Sequence, residues 1–166
     1  MAQNIPPTDI RAPVFAALFI VSQLLFPSPT RADSPDEPAS VNISQAWIRL
    51  VPPVARTTAA YGTLQNTGNS DLTLISVSSG LAEFTEMHAT LEDHGMMKMR
   101  LQEQLSLPAQ GELKFAPGGL HIMMKGLKQP LIPGQKVPLD FYFLGGGHIT
   151  QLFEVSANGP AIQTMP

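Results

Sequence analysis

From Val41 to Val155 the chain alternates apolar and polar residues at the two-residue period of half-buried strands. In VNISQAWIRLV, Val41, Ile43 and Gln45 share one parity and Ala46, Ile48 and Leu50 the other, so the apolar side changes near Gln45 and predicts a bulge. TTAAYGTLQNTG predicts a second strand closing on a turn at Asn66 to Gly68. DLTLISVSS predicts a third, with its apolar parity passing from Leu72 and Leu74 to Ile75 and Val77. LAEFTEMHATLED also carries apolar residues at helical spacing, but Gly80 and Gly95 bound it and its neighbours are β-rich, so a strand is expected. MMKMR and LQEQLSL predict short strands, and 112–115, 120–124, 137–144 and 148–155 predict four more. Their reversals, PAQG, APGG, IPGQ and LGGG, contain the Gly or Pro a tight turn needs. The glycines at 145–147 join two long strands as a hairpin. Nine or ten short strands with a turn every 8 to 12 residues describe an all-β, antiparallel β-sandwich. The lone tryptophan, Trp47, is expected at an edge of the core.

Composition narrows the function. At 43% hydrophobic and 14% charged, the 166 residues can bury a core. The net charge of -3 and ten scattered basic residues speak against a nucleic-acid partner. The absence of cysteine removes disulfides, thiol nucleophiles, redox dithiols and a thiolate-ligated blue-copper centre. Nor is there a P-loop, a GxGxxG turn or a GxSxG elbow, so an enzyme is not expected.

The N-terminal stretch reads as an export signal. Arg11 precedes an apolar run at 12–26, followed by PSPTRADS with small residues around Ala32. The run is shorter than the ~20 residues of a spanning helix. The organisation expected is a signal peptide over 1–32, cleaved after Ala32, a flexible leader over 33–40, a β-sandwich domain over 41–156 and a short tail over 157–166. The processed protein is then periplasmic and not integral to a membrane, with eight basic and twelve acidic residues.

The chemistry is concentrated in 86–125, which holds three of the four histidines and six of the eight methionines. His88, Met99, His121 and Met123 stand in it as H-x10-M-x21-H-x-M. On a strand, His121 and Met123 point to one face while Leu120, Ile122 and Met124 point to the other, which suits a core, so the strand presents its His and Met away from the core or towards an opening at its rim. His88 and Met99 lie on strands flanking the Gly95 turn, so the four are expected to meet at one end of the sandwich. Taken singly, each residue is ordinary, since methionine fills cores and histidine decorates turns. Together, two soft thioethers and two neutral imidazoles select Cu(I) over Cu(II) and zinc. Met97 shares the parity of Met99 and could serve as a spare thioether, core or surface packing being the commoner role; His94 and His148 are expected in turn and solvated positions.

The spacing H-x10-M-x21-H-x-M resembles that of the PCu(A)C family of periplasmic copper chaperones. HGMMKMR, LSLPAQGELKFAPGGLHIM, GLKQPL, AWIR and YGTLQNTG are similar to its characteristic segments, and the likeness runs from about Val41 to Val155. It implies a cupredoxin-like Greek-key sandwich and Cu(I) bound by His88, Met99, His121 and Met123. It also implies delivery to a recipient cuproprotein, such as cytochrome c oxidase subunit II at its Cu(A) site, or another copper chaperone. The His- and Met-rich tail of some relatives is missing: the chain ends NGPAIQTMP. A periplasmic copper scavenger or buffer and, more remotely, a metal-free structural sandwich are the rival readings.

Overall fold

The computed structural model describes residues 40–159, so the expected signal peptide, the cleavage after Ala32 and the tail beyond Gly159 lie outside the described residues. Ten strands follow one another: β1 (Val41–Arg49), β2 (Thr57–Asn66), β3 (Leu72–Ser78), β4 (Phe84–Asp93), β5 (Met96–Leu101), β6 (Leu105–Leu107), β7 (Glu112–Phe115), β8 (Leu120–Lys125), β9 (Lys136–Phe143) and β10 (His148–Ser156). No helix occurs among the described residues. The all-β, cupredoxin-like sandwich read from the sequence is therefore the fold. The strands hydrogen-bond in the order β5-β4-β8-β2-β1-β10-β9-β3-β6, with β7 also on β2. One pairing departs from the antiparallel expectation: β1 and β10 run parallel.

β2 joins the parts. Its first half, from Thr57 to Ala60, pairs with β8, and its second half, from Gly62 to Gln65, pairs with β7. β1 covers its other edge along both halves.

Local irregularities keep the apolar side inward. The β1–β2 register slips between Ser44 and Trp47, and Gln45 takes the left-handed φ of 52°. This is the expected bulge, and it lets Ile43 and Ile48, of opposite parity, both reach the core. In β3 the register shifts between Leu74 and Ser76, so Leu74 and Val77 are buried. Ile75, expected inward, sits on the irregularity and is 40% exposed. Trp47 also departs from expectation: it packs on the outer face against Tyr61, ring centroids 4.7 Å apart, because the slip turns Ile48 inward in its place. The core itself is built from Leu64, Leu139, Phe141, Phe153, Ile122 and Met124, all fully buried.

Asn66 is the buried polar tie at the end of β2. Its Nδ2 donates to the carbonyls of Ser70, Leu107 and Pro108 at 2.8, 3.3 and 3.1 Å, and its Oδ1 accepts from the Gly68 amide at 2.9 Å. Asn66→Ala would strand several of these backbone groups away from water. Chemical denaturation is expected to show a loss of about 2–3 kcal/mol; an unchanged midpoint would mean the network contributes nothing.

Candidate metal centre

The register of three strands decides which side chains meet. In the β4–β8 pair His88 lies opposite His121 and Glu86 opposite Met123. In the β4–β5 pair Thr90 lies opposite Met99 and Glu92 opposite Met97. Residues directly opposite on an antiparallel pair project to the same face. His88, Met99, His121 and Met123 therefore share one face of β5-β4-β8, while Met87, Ile122 and Met124 fill the core on the other. The His88 and His121 rings lie nearly parallel, 20° apart in plane, with centroids separated by 5.9 Å.

The four residues lie away from the core, as the parity of β8 predicts for His121 and Met123, but on the outer face of the sandwich and not at its end. The β4–β5 hairpin is the cause. His94 and Gly95, at φ 53° and 77°, reverse the chain tightly and lay β5 beside β4 along its length. Met99, Met123 and His121 line a depression of about 390 Å³ whose other walls include Thr90, Tyr61 and Arg49. Met99 is the open side, 60% exposed, and His121 the enclosed one, 6% exposed. His88 is not among the lining residues; it lies opposite His121 with 13% of its side chain exposed.

Hydrogen bonding leaves the imidazoles with a free nitrogen. His121 Nδ1 lies 3.0 Å from the Gly119 carbonyl, which can only accept, so Nδ1 carries the proton and Nε2 keeps its lone pair. His88 Nε2 faces Glu86 Oε2 at 3.6 Å, and Glu86 Oε2 also takes the Lys125 ammonium at 2.8 Å. Among the described residues, His88 Nδ1 is the one buried side-chain nitrogen or oxygen with no hydrogen-bond partner. A buried nitrogen without a hydrogen-bond partner calls for an explanation, and an absent metal ion is one that would satisfy it. No cluster of three or more His, Asp or Glu side chains suited to a metal occurs among the described residues. A hard or divalent ion would thus lack its usual donors here, whereas the neutral nitrogen and sulfur donors fit a soft monovalent one.

The remaining candidates sort by burial. Met87 and Met124 are core. Met97 shares the face of Met99 but sits one pair nearer the hairpin tip, 63% exposed. His94 is the turn residue expected and contacts the Asp93 carboxylate. Lys98, and after it His94, hold the Asp93 carboxyl below the usual carboxylate range. His148 is exposed and stacks on Tyr142. Three neighbours escaped the sequence reading. Glu86 was findable, being two residues before His88 on the same strand face. Arg49 and Tyr61 reach the depression only through the pairing of β1 with β2 and of β2 with β8, which no local signal gives.

The LpqE-like family model matches residues 41–155. The Leifsonia xyli subsp. xyli protein named as lipoprotein Lxx21020 is 34% identical over 120 residues, covering 71% of either chain. Among solved structures, the copper-bound PCuAC domain from PmoF2 superposes with a TM-score of 0.61 over 73% of this chain and 96% of that domain; at 19% identity this is a likeness of fold. CuI-DR1885 from Deinococcus radiodurans, solved in solution, is 32% identical with a TM-score of 0.58, over 70% of this chain and 77% of that one. The matched span takes in the whole of β1 through β9 and all of β10 but Ser156 and includes all four candidate ligands, so the chain belongs to the LpqE-like family.

Proposed function

We propose that the protein is a periplasmic Cu(I) metallochaperone, a carrier and not an enzyme, that delivers copper to respiratory oxidase assembly. The cargo is held by His88, Met99, His121 and Met123, and the destination is the Cu(A) centre of cytochrome c oxidase. The observation that carries this reading is the register that gathers two imidazoles and two thioethers on one outer face, with His88 Nδ1 buried and unpartnered. The likeness to a Cu(I) form of DR1885 at 32% identity supports it. Export rests on the apolar run at 12–26; none of the 166 residues is a cysteine, so a thioether-linked lipid has no attachment atom among them.

The geometry suits transfer by ligand exchange. The two imidazoles are enclosed, and Met99 is exposed on an edge strand. A donor on subunit II, or on another copper chaperone, approaches from the open side and displaces the Met99 thioether first. Copper stays bound throughout, and no change of oxidation state is needed.

Removing the gene tests delivery against buffering. Delivery predicts that cytochrome c oxidase activity falls, and that the Cu(I)-loaded protein metallates the reduced, soluble Cu(A) domain of subunit II. Normal oxidase activity with lowered copper tolerance would overturn delivery in favour of a scavenger.

A further inference from the structure

We propose that Arg49 makes the mouth of the depression an anion subsite, which holds a carboxylate of the protein that exchanges copper with this one. The inference rests on the depression being the copper site, and it concerns a residue outside the ligand set.

Arg49 closes β1, where the Thr58 hydroxyl donates to its carbonyl at 2.6 Å and fixes the backbone. Its guanidinium lies over the Tyr61 ring, 5.4 Å from the centroid, and Tyr61 rests in turn on Trp47. A cation–π contact of this kind attracts the guanidinium to the ring face without using up its N–H donors. Four other cations of this domain are paired with carboxylates, Lys125 with Glu86, Lys98 with Asp93, Arg56 with Glu83 and Lys136 with Glu154, whereas Arg49, like Arg100, Lys114 and Lys128, is not, and of these four only Arg49 lines the depression. Among the described residues no carboxylate lies within ion-pair distance of Arg49.

The walls around it carry donors and no acid. Thr57, Thr90 and Tyr61 add hydroxyls, and the depression has no Asp or Glu in its lining. Its roughly 390 Å³ far exceeds one metal ion; it has room for about a dozen water-sized groups. Neutral ligands do not cancel the charge of Cu(I), and Glu86, the carboxylate facing His88, is already paired with Lys125, so a loaded site and Arg49 together present two positive charges at one opening. A carboxylate matches the planar guanidinium fork in shape as well as charge. An acidic side chain beside the incoming copper ligand of the partner is the occupant these features select.

The test uses two Cu(I) chelators as minimal acceptors: bicinchoninate, which bears two carboxylates, and neocuproine, which bears none. Cu(I)-loaded wild type and Arg49→Gln are mixed with each, and transfer is followed by absorbance. Arg49→Gln is expected to slow transfer to bicinchoninate about fivefold to tenfold, to leave neocuproine within twofold, and to keep the Cu(I) affinity of the wild type. Lys114→Gln, which removes the same charge on β7 outside the depression, is expected to change neither rate. Equal slowing with both chelators, equal slowing by Lys114→Gln, or a loss of Cu(I) affinity in Arg49→Gln would each overturn the proposal. Failure of the wild type to bind Cu(I) would overturn the copper reading itself, and the subsite with it.

Discussion

His121→Ala is expected to weaken Cu(I) binding by at least about a hundredfold. Losing a residue that merely orients a metal ligand typically costs 10–100-fold, and a ligand itself should cost no less. His121 is the most enclosed of the four, with Nδ1 committed to the Gly119 carbonyl and Nε2 left for the ion. No neighbour is free to take over: the residue opposite is His88, itself a proposed ligand, and no Asp or Glu lines the depression. His88→Ala should behave alike. Met99→Ala should cost less, on the order of tenfold, because its exposed thioether has Met97 two residues away on the same face. Competition against a chromophoric Cu(I) chelator reads all of these, and thermal unfolding of each apo variant shows that it is folded. If His121→Ala and Met123→Ala both bind copper as the wild type does, the ligand assignment is wrong.

Met123 and Met124 should separate completely, although they are neighbours. Met124 is fully buried, paired with Thr85 on one side and Thr58 on the other. Met124→Ala leaves a cavity in the core, and a loss of about 2–5 kcal/mol is expected. That corresponds to a fall in Tm on the order of 10 °C or more for a domain of this size. Copper affinity of the folded protein should survive, since the thioether points away from the site. Met123→Ala should do the reverse: Cu(I) affinity falls about a hundredfold or more, while apo stability stays within about 1 kcal/mol. The opposite pattern would mean that the register of β8 is shifted by one residue.

How much of this was legible depends on how local the determinant is. Alternation and turn residues are local, so β7 emerged with its observed bounds, and β8 one residue short at its end. The bulge at Gln45 was legible because the apolar side changes there. Ile75 was misplaced because a parity change shows that an irregularity exists, not which residue it expels. The parallel β1–β10 pair was hidden because a strand carries no sequence mark of its partner's direction. The candidate ligands were legible by type and strand parity, which turned His121 and Met123 away from the core, yet the meeting of all four along an outer face and not at one end was not. That depends on β8 pairing with β4 and β2 across long connections. For the same reason Arg49 could not be connected to them: it arrives through two further pairings.

The central claim is that one Cu(I) sits among His88, Met99, His121 and Met123. X-ray absorption of the protein loaded with one equivalent of Cu(I) tests it most directly. The geometry predicts stoichiometric binding and a mixed shell of sulfur and imidazole nitrogen, with sulfur lost in Met123→Ala and imidazole lost in His121→Ala. A shell of nitrogen and oxygen alone, or no stoichiometric Cu(I) in the presence of a competing chelator, would contradict it.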